Sequence, residues 1–69
     1  MIQIELTKIL KEKKMTSKEL VQIIGITEAN LSILRSGKAK AIRFSTLDKI
    51  CQALDCNPGD ILVYVEGNE

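Results

Sequence analysis

Apolar residues fall in short stripes separated by polar stretches, and the spacing within each stripe predicts an element. Ile2, Leu6, Ile9 and Leu10 recur at helical spacing with lysines and glutamates between them, which predicts an amphipathic first helix running to about Lys14. The pattern then resets. Thr16-Ser17-Lys18-Glu19 has the form of a capping box, in which the Thr16 hydroxyl accepts from the Glu19 amide and the Glu19 side chain reaches back. A second helix carrying Leu20, Val21, Ile23 and Ile24 starts there and stops at Gly25, where the missing Cβ permits a left-handed turn. Thr27 is placed to cap a third helix, with Leu31 and Leu34 as its buried ridge and Gly37 as its stop.

The stretch from Lys38 to Phe44 holds three basic residues and no acidic one, and reads as a loop. Ser45-Thr46-Leu47-Asp48 is a weaker capping box, opening a fourth stripe of Leu47, Ile50, Cys51 and Leu54. Asn57-Pro58-Gly59-Asp60 starts a short fifth helix, with Asn57 as cap and Pro58 in the first turn, where its missing amide costs nothing. Ile61-Leu62-Val63-Tyr64-Val65 is too apolar to be left in water; part of it is expected on the core and part against a partner chain. The predicted fold class is all-α, a compact five-helix domain with a short C-terminal extended segment.

Composition narrows the function. A chain of 69 residues has room for one core, so residues 1–69 are expected to form a single domain, and 45% hydrophobic with 28% charged residues suits a compact one. Phe44 and Tyr64 are the only aromatics, which argues against modules that stack bases on aromatic platforms. Without histidine there is no Ser-His or Cys-His pair, no phosphate-cradling glycine loop is present, and Asp48, Asp55 and Asp60 each have a helix or capping explanation. No enzyme, catalytic residue, cofactor or metal site is expected. Cys51 belongs to the fourth stripe as a small hydrophobe, and Cys56, five residues on, would point elsewhere on a helix, so no internal bridge is expected. With no secretory signal and no apolar run near the roughly 18 residues that span a bilayer, the expectation is a cytoplasmic protein with reduced thiols and no membrane association.

Two short helices joined by a glycine turn make a helix-turn-helix unit, and Ser17 to Ser36 fits it, with Leu20, Ile24, Ile26, Leu31 and Leu34 apolar where the helices must pack. This arrangement resembles the phage repressor and Cro class of DNA-binding domains, the Cro/C1-type, Xre or lambda-repressor-like family. The resemblance covers almost the whole chain: the first helix, the unit from Thr16 to Ser36, the basic stretch Ser36-Gly37-Lys38-Ala39-Lys40, then Phe44-Ser45-Thr46-Leu47 and Pro58-Gly59-Asp60-Ile61-Leu62. Thr46-Leu47-Asp48-Lys49-Ile50-Cys51 with Leu54-Asp55-Cys56-Asn57-Pro58-Gly59-Asp60 is similar to a small single-domain bacterial branch. One departure is Val21, where the family usually has alanine. The resemblance implies five helices, dimeric binding to an operator and transcriptional control, most simply repression.

In this class the N-terminal half of the third helix enters the major groove. With Leu31 and Leu34 assigned to the core, the candidate base contacts are Thr27, Glu28, Ala29, Asn30, Ser32 and Ile33. Asn30 suits adenine, Glu28 can accept from cytosine, and Ala29 and Ile33 suit thymine methyls, which together predict a lean toward A·T-rich sites. Candidate phosphate contacts are Ser17 and Lys18 at the start of the second helix, then Arg35, Ser36, Lys38, Lys40 and Arg43. Ile61, Leu62, Val63, Tyr64 and Val65 are the candidate homodimer contacts. The alternative is a helix-turn-helix module that binds a toxin or another protein, as an antitoxin or anti-repressor does; the donor-poor third helix and Ile33 favour it and the basic stretch opposes it.

The formal charge of +1 conceals a division. From Lys8 to Arg43 nine basic residues stand against Glu12, Glu19 and Glu28, a net +6, whereas from Phe44 onward only Lys49 stands against Asp48, Asp55, Asp60, Glu66 and Glu69, a net −4. The basic part holds the proposed DNA face and the acidic part the proposed dimer or core face.

Overall fold

In the computed structural model, which describes residues 1–67, the elements follow one another as β1 (Ile2–Ile4), α1 (Leu6–Glu12), α2 (Ser17–Ile24), α3 (Glu28–Ser36), α4 (Phe44–Leu54), α5 (Pro58–Ile61) and β2 (Leu62–Tyr64). The five helices are those the stripes predict. At α2 the capping box is complete: Thr16 Oγ1 accepts from the Glu19 amide at 3.1 Å and Glu19 Oε1 accepts from the Thr16 amide at 2.9 Å. Gly25 then closes the helix at φ 76°, and Gly37 closes α3 at φ 80°, both in the left-handed region that a Cβ disfavours. Thr27 caps α3 by accepting from the Asn30 amide at 3.1 Å. At α5 the Asp60 carboxylate accepts from the Asn57 amide at 2.9 Å, with Pro58 in the first turn.

Three expectations are corrected. The first helix does not begin at the amino terminus: Ile2–Ile4 is a strand, antiparallel to β2, with Ile2 opposite Tyr64, Gln3 opposite Val63 and Ile4 opposite Leu62. Ile2-Gln3-Ile4 fits the helical stripe and the two-residue alternation of a strand equally well, and the apolar tail supplies the partner that decides between them. The Glu5 amide donates to the Ile61 carbonyl and the Val65 amide to the Met1 carbonyl, both at 2.7 Å, which closes the sheet at either end. Second, α4 starts before Ser45. Its N-cap is Arg43, whose side chain has no acceptor to offer, and no side-chain cap forms there. Third, Cys51 and Cys56 are not splayed around one helix, because α4 ends at Leu54 and Asp55 turns left-handed at φ 52°.

Eleven aliphatic side chains form one core: Leu6, Ile9 and Leu10 of α1, Leu20 and Ile24 of α2, Leu31 and Leu34 of α3, Leu47, Ile50 and Leu54 of α4, and Ile61 of α5. Val21, Ile26, Ala39, Ile42 and Cys51 pack around it, half-buried. Neither aromatic takes part, since Phe44 is 87% and Tyr64 70% exposed. Because α2 and α3 both root in this core, the opposite face of α3 is held outward. Among the described residues no helix is long and apolar enough to cross a membrane.

Candidate nucleic-acid interface

Residues of α3 succeed one another by about 100° around its axis, so Ala29, Ser32, Ile33 and Ser36 lie opposite the buried Leu31 and Leu34. All four are exposed. Ile33, at 48% exposure, is the bulky apolar member of the ridge. Glu28, Asn30 and Arg35 occupy its flanks, and Thr27 is exposed at the start of the helix although its hydroxyl is committed to the cap.

The flanks border two open grooves. On one side Glu28, Ser32, Arg35 and Ser36 face Thr7 and Ser17 across a groove of about 410 Å³. On the other, Asn30 and Ile33 face Ala39, Ala41, Ile42 and Arg43 across one of about 400 Å³. The candidate base contacts are therefore divided: Asn30 and Ile33 lie on the loop side, Glu28 and Ser32 on the side of α1 and α2.

Arg35 ties the first of these sides together. Its Nε donates to Thr7 Oγ1 at 3.1 Å and its Nη1 donates to Ser17 Oγ, so one guanidinium spans the first turns of α1 and α2 from the last turn of α3. Five donors in a fixed fork leave N–H groups over for a further acceptor once these two bonds are made. Thr7 is not among the residues that the sequence pattern singles out. Nothing in its own neighbourhood marks it, because its role depends on a residue 28 positions away.

Ser36 is similarly engaged, donating from Oγ to the Ile33 carbonyl at 2.8 Å and accepting from the Lys38 amide at 3.2 Å. These bonds set the direction in which the chain leaves α3. Lys38, Lys40 and Arg43 are all exposed on the following loop, while Ala39 and Ile42 turn inward and anchor it. Arg43 borders the groove beside Asn30 and Ile33, whereas Lys40 borders a smaller groove of about 240 Å³ between the loop and the sheet, with Ile2, Ile4 and Leu62. Lys18 is exposed in the first turn of α2.

The candidate dimer contacts separate by burial. Ile61 is 0% exposed within its own chain, so its assignment to a partner surface is corrected: the side chain is consumed by the core. Leu62 and Val63 are half-buried, while Tyr64 and Val65 are exposed. Strand pairing adds a residue that the stripes place in a helix, since Ile2, 62% exposed, stands directly opposite Tyr64.

Comparison with known proteins bears on what this surface does. Residues 5–67 match the family model of the Cro/C1-type HTH DNA-binding domain. The chain is 59% identical over 63 residues to YozG of Bacillus subtilis (strain 168), an uncharacterised HTH-type transcriptional regulator; the match covers 91% of this chain and 75% of that protein. Its fold is similar to the crystal structure of a Bacteroides fragilis protein for which DNA binding is inferred, at a TM-score of 0.81 and 24% identity, covering 91% of this chain and all of the other.

Proposed function

Because the chain belongs to the Cro/C1-type helix-turn-helix DNA-binding domain family, we propose that it binds double-stranded DNA as a dimeric transcription regulator, acting as a repressor by occupying its operator. The observation that carries this reading is the outward ridge of α3, rooted by Leu31 and Leu34 and followed directly by the exposed cations of the loop. The N-terminal half of α3 enters the major groove, where Ala29 and Ile33 meet thymine methyls, Asn30 reaches adenine, and Glu28, Ser32 and Thr27 complete the contact surface. Lys18, Lys38, Lys40 and Arg43 hold phosphates, as does Arg35 through the donors left over from Thr7 and Ser17; Ser17 steadies the Arg35 guanidinium and Ser36 orders the Lys38 amide beside them. A second copy docks at the sheet end through Tyr64 and Val65, with Ile2 beside them, which places two α3 helices on paired half-sites.

Anisotropy titration of a labelled duplex at several salt concentrations tests the electrostatic part. The double variant Lys38→Ala, Lys40→Ala is expected to bind more weakly across all sequences and to lower the slope of log affinity against log salt by roughly 1.8, about 0.9 for each phosphate that is no longer neutralised. An unchanged slope would remove the loop from the phosphates. Ile33 at the centre of the ridge also favours a second reading, in which the same face binds a protein. Under that reading the wild-type chain shows no salt-sensitive binding to any duplex at low salt.

A further inference from the structure

The end of α4 brings together two thiols that spacing alone would keep apart. Asp55 in the left-handed region lets the Cys56 amide turn back and donate to the Cys51 carbonyl at 3.1 Å. The Asp55 amide donates to the same carbonyl, so the helix end closes on Cys51, a geometry often accompanied by side-chain contact between the residues it joins. The bond from the Cys56 amide and the atoms on either side of it can separate the two Cα atoms by no more than about 7 Å, and the bent path of a closed turn is shorter. Disulfides form across Cα separations of about 4.4 to 6.8 Å.

We propose that Cys51 and Cys56 are a dithiol site that closes to an intrachain disulfide on exposure to an oxidant of the peroxide class. Both residues are free thiols, half-buried, and both line an open groove of about 470 Å³ walled by Phe44, Leu47 and Pro58, wide enough to admit a small oxidant. One thiolate attacks a peroxide oxygen and becomes a sulfenic acid as the O–O bond breaks; the neighbouring sulfur then displaces the sulfenic oxygen and the S–S bond forms. Two thiols and one hydrogen peroxide thus give one disulfide and two waters. Burial, and after it the adjacent Cys51 side chain and Asp60, push the Cys56 thiol above its ordinary range, with Lys13 acting in the opposite sense. On balance the surroundings favour the Cys56 thiol over its thiolate. Closure therefore accelerates as pH rises and more of the thiol ionises.

The test treats the folded full chain with hydrogen peroxide, follows with iodoacetamide, and measures the intact mass and the peptide map. The expected product is a monomer lighter by two hydrogens in which both cysteines lose reactivity together and recover it with dithiothreitol. Cys51→Ser and Cys56→Ser should each instead oxidise singly at the remaining sulfur, with no loss of two hydrogens. Wild-type protein that accumulates single-sulfur oxygen adducts or disulfide-linked dimers would overturn the proposal, as would full alkylation after peroxide treatment that oxidises free cysteine.

Discussion

Between Thr16 and Gly37 each joint of the helix-turn-helix closes on a neighbour three or four positions away: Thr16 on Glu19, Gly25 on Val21, Thr27 on Asn30, Gly37 on Leu34. The sheet at the termini works the other way, joining Ile2–Ile4 to Leu62–Tyr64 from the opposite end of the chain. Local closure fixes the two helices of the unit relative to the turn with no distant contact, and the shared core fixes which face of α3 is outward. The sheet instead pairs segments about sixty positions apart, with the whole helical core between them in the sequence. Its outer residues, Ile2 and Tyr64, are mostly exposed, so side chains there can be exchanged with little consequence for the presentation of α3.

The strongest way to break that contrast is to remove the root of α3. Leu31 is fully buried against the other helices, and Leu31→Ala is expected to cost about 2 to 5 kcal/mol, a large share of the stability available to a domain this small. Urea unfolding followed by circular dichroism measures it, and a loss below about 1 kcal/mol would mean that α3 is held by something other than this ridge. A smaller effect separates glycines that look alike in sequence. Gly25 needs φ 76° while Gly59 has no such requirement, and at neither would an added Cβ meet another atom within 4 Å. Gly25→Ala is therefore expected to cost about 1 to 2 kcal/mol through the backbone alone, whereas Gly59→Ala should be neutral or slightly stabilising. Equal costs in the same unfolding assay would refute the claim that the turn depends on the left-handed residue.

The same contrast explains what is legible in the sequence. The caps at Thr16, Thr27 and Asn57 and the stops at Gly25 and Gly37 follow from residue chemistry over a few positions, and the Leu31 and Leu34 ridge follows from helical periodicity. The β1 strand does not, because three residues cannot distinguish a period of two from one of 3.6, and what decides is a partner at the far end of the chain. The bonds from Arg35 to Thr7 and Ser17 are invisible for the same reason, being made between three helices. Cys51 and Cys56 escape by a different route: a helical offset does not carry across a helix end, and Asp55 is left-handed where glycine is the usual signal. At α4 the apparent box at Ser45 lies inside a helix that already starts at Phe44, so a local motif loses to the path of the anchored loop.

A small expected cost to folding is the most informative about assembly. Ile2 and Tyr64 face each other across the sheet at 62% and 70% exposure, and an exposed cross-strand pair contributes about 0.2 to 1 kcal/mol. Ile2→Ser with Tyr64→Ser should therefore stay within about 1 kcal/mol of the parent in urea, far from the Leu31→Ala result. If a second copy docks on this pair, sedimentation should show weaker self-association in the double variant, with loss of affinity for paired half-sites and little change for a single half-site. Self-association equal to the parent's would place the dimer contact elsewhere. A stability loss as large as that of Leu31→Ala would instead show that the sheet is part of what holds α3 outward, and the division drawn between the two regions would fail.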